Sequence, residues 1–262
     1  MKGLFFLFGV PLSGAAVVRQ MLHKVSGINC PVEHQFEFFI KRLPGLLEDY
    51  NELLKSINSA QDVSGELFTG QDFDFLFKVL VEHTALLSEK DRDSLVGIND
   101  NGITHRLKAY MEIFPDARFI EVIRDPRAVT LESWHFNTQT EEGFINRAES
   151  LEKWADTVAT YWSACVAEAL EARNAGQRLE IVSWEELRAE PVQTMSKILQ
   201  FLGAEHLTEP SSIVGEFMGM LEQSKGDDWS KELGQEAISV LEKKAGPVMA
   251  QVGYTALEVE TW

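Results

Sequence analysis

LFFLFGVPLSGAAVVRQML, residues 4–22, changes its apolar period halfway along. Leu4 to Val10 is a continuous apolar run, as in a strand buried on both faces. Val17, Val18, Met21, Leu22 and Val25 then recur at helical spacing. Gly9 and Gly14 bracket the turn between them, so the unit reads strand, tight turn, helix. Lys2 before the run and Ser13-Gly14-Ala15-Ala16 after it imitate a secretory leader with a small-residue cleavage site. The run is at the lower length limit for such a leader, and a buried first strand accounts for it better.

The same design recurs at ARFIEVIRDPRAVTLES, residues 117–133. Arg118 to Ile123 is a β-branched run suited to an interior parallel strand, and Pro126 suits the first turn of a helix. Ser94 to Ile98 and Leu179 to Ser183 read as further strands. Between Phe36 and Lys90 the pattern is mostly helical, broken near Asp62 to Gly65 and at Gly70. Tyr110 to Phe114 closes a helix before Pro115. A long helix carries Leu151, Trp154, Val158, Tyr161, Trp162 and Cys165 on one side, a packing stripe. Pro191 opens a helix with Met195, Ile198, Leu199 and Leu202 inward, stopped at Gly203, and the tail from Gly226 is helical again. Strands alternating with helices predict an α/β fold of three α/β/α layers around a central parallel sheet, with ligand sites at the strands' carboxyl ends. With no linker or repeat, residues 1–262 are expected to form a single domain.

Composition narrows the function. Of 262 residues, 45% are hydrophobic and 25% charged, the balance of an ordinary globular protein. The net charge of −17 repels polyanions, so no nucleic-acid partner is expected. Cys30 and Cys165 are too few for a disulfide framework or a thiolate metal site, and they suit a reducing cytoplasm. No stretch approaches the roughly 20 apolar residues of a membrane-spanning helix.

The glycine turn can present backbone N–H groups to an anion at the positive end of a helix. A nucleotide hydrolase or kinase would also need Lys and then Ser or Thr after the second glycine, where Ala15 and Ala16 stand. Arg124, ending the second strand, places a guanidinium where a phosphate or carboxylate could sit, with Arg127 one helical turn on. Each feature has a plain structural alternative: glycines kept for packing, and an arginine paired with Asp125 or another acid.

Four segments in chain order resemble the sulfotransferases that use 3′-phosphoadenosine 5′-phosphosulfate (PAPS). Gly9 to Ala16 looks like that family's loop for the 5′-phosphosulfate, and Arg124 to Arg127 like its 3′-phosphate strand-turn-helix. SWEELRAEP, Ser183 to Pro191, with Phe201 to Gly203, is similar to the family's acidic-Leu and Phe-Leu-Gly segment. KGDDW, Lys225 to Trp229, followed by Gly253-Tyr254, resembles its late Lys-Gly loop. The resemblance implies a P-loop-like fold and sulfuryl transfer from PAPS to a hydroxyl or amine, without metal. It implies that Pro11, Ser13, Gly14, Ala15, Ala16, Arg124, Ser133, Lys225 and Gly226 hold the donor.

The departures from that pattern fall where the chemistry would be. Leu12 stands where the family carries Lys or Arg beside the sulfate, and Ala15-Ala16 replace two threonines. The serine eight residues beyond the arginine is Glu132, with Ser133 one place later, so Ser133 serves only if the helix register shifts. Ser224 stands where an arginine often precedes Lys-Gly. Glu33, in CPVEH, resembles the catalytic base of tyrosylprotein sulfotransferases and is the first candidate here. His105, His34 and His135 follow it, since imidazole titrates near neutral pH. Arg19 matches an arginine of bacterial relatives and is expected in a structural ion pair. The competing reading is a catalytically degenerate descendant that binds a nucleotide, an anionic small molecule or a protein in the old cleft.

Overall fold

The structure, a computed structural model, describes residues 3–58, 67–88, 94–222 and 229–255. Following the chain, β1 (Gly3–Phe8) leads into α1 (Ala15–Lys24), β2 (Ile28–Asn29), α2 (Glu37–Ile57) and α3 (Gly70–Ser88). Next come β3 (Leu95–Asn99), a 3₁₀ turn (Asn101–His105), α4 (Leu107–Ile113), β4 (Arg118–Ile123), α5 (Pro126–Thr140), α6 (Phe144–Ala148) and α7 (Leu151–Asn174). The chain continues through β5 (Leu179–Ser183), α8 (Trp184–Ala189), α9 (Pro191–Leu202), α10 (Pro210–Glu222), α11 (Trp229–Glu232) and α12 (Gln235–Gln251).

The strands form one parallel sheet in the order β2-β3-β1-β4-β5. β1 is apolar at every position because it is covered on both sides. Phe5 and Leu7 point into a core with Val18, Met21 and Leu22 of α1 and Met195 and Ile198 of α9. Phe6 and Phe8 point to the other face, against Phe77 of α3 and Tyr110 of α4. On that second face α5, α7 and α12 build a third core around Trp162, which is fully buried. This is the expected α/β/α layering, and the stripe on α7 is indeed packing.

β4 and β5 span the residues read from the sequence, and β3 is displaced by one. β1 stops at Phe8 rather than Val10, because the chain leaves the sheet at Gly9 to begin the turn. β2 is two residues long and carries no period of its own. From β1 the chain moves toward β2 and β3, whereas from β4 it moves toward β5. The neighbours β1 and β4 therefore flank the place where strand order reverses, and a ligand crevice belongs beyond their carboxyl ends. Among the described residues no helix is long and apolar enough to cross a membrane.

Candidate functional site

The turn after β1 is locked by backbone geometry. Ser13 N donates to Val10 O at 3.0 Å, and Leu12 and Gly14 both adopt positive φ, at 69° and 98°. Gly14 also has no room for a side chain, since a Cβ there would lie 2.2 Å from the Trp184 ring. Gly9 is as confined, because its Cβ would lie 2.3 Å from Val122 O in β4. The chain thus enters α1 with no side-chain cap, leaving the first-turn N–H groups for an anion. Ser13 is buried, and its Oγ has no hydrogen-bond partner among the described residues.

The turn after β4 meets this loop directly. Arg124 is 2% exposed, and its Nη1 donates to Leu12 O at 3.0 Å and to Glu132 Oε2 at 2.5 Å. The backbone carbonyl of Arg124 accepts from Trp162 Nε1 at 2.9 Å. Arg127 serves the fold instead: its guanidinium clasps Asp125, reaches Glu242 of α12 at 2.9 Å and lies over Trp229. The β5–α8 corner braces both turns, with the Trp184 ring beside Gly14 and Glu185 accepting from Asp125 N at 3.0 Å. Tyr254 OH donates to the same Glu185 carboxylate.

The opposite wall comes from β3 and the segment before α2. Glu33 bridges to Asn99, prolonging the sheet edge, and its Oε1 accepts from Asn101 Nδ2 at 3.1 Å. His34 N donates to Asn99 O, and burial holds its imidazole below the usual range. Asp100 accepts from Phe36 N and Gly102 N at 2.7 and 2.8 Å. Burial pushes its carboxyl up to about 6 despite those two donors.

These walls enclose a cavity of about 980 Å³. Pro11, Ser13, Gly14, Ala15, Ala16, Glu33 and Arg124 all line it, so the loop, the candidate base and the arginine come together. Ser133 does not line it. α5 keeps its register, so Glu132 faces Arg124, while Ser133 Oγ donates to Thr130 O and accepts from Trp154 Nε1 at 2.8 Å. His105 is also outside this cavity, with its ring against Tyr161 at 4.4 Å. His135 is exposed near Glu232, and Lys225 and Gly226 lie outside the described residues. Among the described residues Arg19 makes no acid pair; its Nη1 donates to Pro31 O at 2.6 Å.

Sequence reasoning missed Asp100, Lys41 and Arg42, all of which line the cavity. Asp100 had a signal, an acid directly after a buried strand; the α2 pair had none. Lys41 is salt-bridged to Glu37 at 2.7 Å, and Arg42 lies over Phe38. Three cations and four carboxyls therefore line the space: Lys41, Arg42 and Arg124 against Glu33, Glu37, Asp100 and Glu132.

A family model described as the sulfotransferase family matches residues 5–209. A protein-tyrosine sulfotransferase of Drosophila melanogaster is 26% identical over 208 residues, covering 76% of this chain and 38% of that protein. Protein-tyrosine sulfotransferase A of Caenorhabditis elegans is 28% identical over 202 residues, covering 75% and 49%. The chain thus spans less than half the length of these two relatives. Among solved structures, mouse sulfotransferase SULT7A1 complexed with PAP superposes with a TM-score of 0.59 at 13% identity, covering 97% of this chain and 90% of that one. The sulfotransferase domain from the curacin biosynthetic pathway gives 0.55 at 16% identity, covering 97% and 98%.

Proposed function

The chain belongs to the sulfotransferase family, and from that premise we propose that it moves a sulfuryl group from a phosphosulfate donor of the PAPS type to a hydroxyl or amine acceptor. The observation that carries this reading is the convergence of the two strand-to-helix turns on one cavity, joined by the hydrogen bond from Arg124 to the Leu12 carbonyl. The residues present fit the 5′ end of such a donor. An orphaned buried hydroxyl, a glycine with no room for Cβ and the open start of α1 meet at one point. By the family resemblance Arg124, which lines the same cavity, would face the other end.

When bound, the donor supplies an activated sulfur whose bond to the bridging phosphate oxygen can break. The chain's residues would do the rest. Backbone N–H groups from Gly14 to Ala16 would hold the 5′-phosphate and take up the charge left on it, the Ser13 N–H being given to Val10 O within the turn. Glu33, lining the same cavity as that loop, would receive the acceptor's proton as the new bond from acceptor oxygen or nitrogen to sulfur forms. The names of the curated relatives support a peptide hydroxyl as acceptor.

Leu12 favours a second reading, in which the cleft binds a nucleotide without turning it over. Its apolar side chain lines the cavity at the position where the family resemblance expects a cation. Calorimetric titration with adenosine 5′-phosphate and with its 3′-phosphorylated form, followed by transfer assays on hydroxyl and amine acceptors, separates the readings. Binding with turnover supports the transferase and binding alone the second reading. If neither nucleotide binds, both fall. Arg124→Ala is expected to weaken nucleotide binding at least tenfold.

A further inference from the structure

We infer that Glu132 sets the donor's specificity at its 3′ end, so that the cleft prefers an adenosine nucleotide with a free 3′-hydroxyl over one with a 3′-phosphate. This rests on the reading above, that the Arg124 turn faces that end of the nucleotide.

The Glu132 carboxylate meets the Arg124 guanidinium directly, as a phosphate oxygen would, with Oε2 at 2.5 Å from Nη1. The same Nη1 already donates to the Leu12 carbonyl, so two protein oxygens aim this nitrogen. The carboxylate is anchored by a nearly buried cation, yet 27% of its side chain stays exposed and it lines the cavity. It is therefore presented to a ligand as a hydrogen-bond acceptor. A ribose hydroxyl can donate to it, whereas a phosphate dianion can only repel it. Dinucleotide sites make the same distinction, an acidic residue reading a ribose hydroxyl and an arginine accommodating a phosphate there.

Two neighbours reinforce the choice. Ser133, the hydroxyl that would otherwise offer a donor to a phosphate, accepts from Trp154 and does not line the cavity. The four carboxyls against three cations around the cavity leave no surplus positive charge for a second phosphate among the described residues. Arg124 then works as the anchor of Glu132 rather than as the phosphate ligand itself.

The test is calorimetric titration of the full chain, as wild type and as Glu132→Gln, with adenosine 5′-phosphate and with 3′-phosphoadenosine 5′-phosphate. Wild type is expected to bind adenosine 5′-phosphate more tightly. Glu132→Gln keeps the shape, removes the charge and adds an amide donor, and should shift the affinity ratio at least tenfold toward the 3′-phosphorylated nucleotide. Wild type that binds the 3′-phosphorylated form as tightly or more tightly overturns the inference, as does a smaller shift in a variant with wild-type melting temperature. If the variant does not fold, the wild-type ratio decides. Absence of binding by both nucleotides is a different failure, since it removes the nucleotide reading of the cleft along with this one.

Discussion

Gly14→Ala tests the glycine turn where it is tightest. At φ 98° an L side chain is strained, at a cost of about 1–2 kcal/mol. The added methyl would lie 2.2 Å from the Trp184 ring, an overlap that something must move to relieve. Overpacking of this kind costs about 1–3 kcal/mol, so the two effects sum to about 2–5 kcal/mol. For a domain whose whole stability is about 5–15 kcal/mol, that is a large share. At about 2–4 °C per kcal/mol for a chain near this size, the melting temperature should fall by about 4–20 °C. Nucleotide affinity should fall at least tenfold, because the loop moves away from Trp184 and takes its N–H groups with it. Trp184→Ala alone should cost about 3–5 kcal/mol as a core deletion. Combined with Gly14→Ala it should cost less than the sum, by about 1–3 kcal/mol, since the ring that was struck is gone. Urea unfolding of the four proteins and calorimetry read both effects. Strict additivity, or a Gly14→Ala protein with wild-type melting and affinity, would refute the reasoning.

Glu33→Gln should lower sulfuryl transfer by about 100-fold or more, the usual scale for a lost general base. It should leave nucleotide affinity within about twofold, and equal losses of both would show that Glu33 holds the fold of the cleft instead. Glu121, buried in β4 and pushed up to about 8 by desolvation, predicts a pH effect on stability. The folded state keeps this proton from about pH 4.5 to 8 while the unfolded state loses it, so stability falls as pH rises through that window. Glu121→Gln should therefore gain melting temperature over wild type at pH 8 and little at pH 5. An equal difference at both pH values would count against it.

The sheet was legible because burial on both faces leaves its mark along β1 and on four of the six residues of β4, Phe119, Ile120, Val122 and Ile123. The site was legible in its two turns, because glycine pairs and a strand-ending arginine are local signals. What escaped the sequence was decided by partners far along the chain. Arg127 reads as a second phosphate cation until Glu242, 115 residues away, claims it. The placement of Ser133 depends on Trp154, 21 residues on, whose indole donates to its hydroxyl. β2 exists through its pairing with β3, and two residues are too few to show a period.

The two functions usually combined in a phosphate loop are separable here, and position 12 shows how. The backbone part of the loop is intact: Leu12 takes the positive φ that the turn demands, and its carbonyl receives Arg124 from β4. That hydrogen bond ties the end of the first strand unit to the second and needs no particular side chain at position 12. The side-chain part is lost, because leucine offers nothing to a leaving phosphate. The same division holds at Arg124, whose charge is met by Glu132 while its backbone carbonyl still seats Trp162 at the centre of the third core. The fold rests on the carbonyls, glycines and buried tryptophans at these corners. A change of donor or acceptor chemistry could therefore be written at Leu12, whose side chain lines the cavity, whereas a change at Glu132 also acts on the buried Arg124 that it meets.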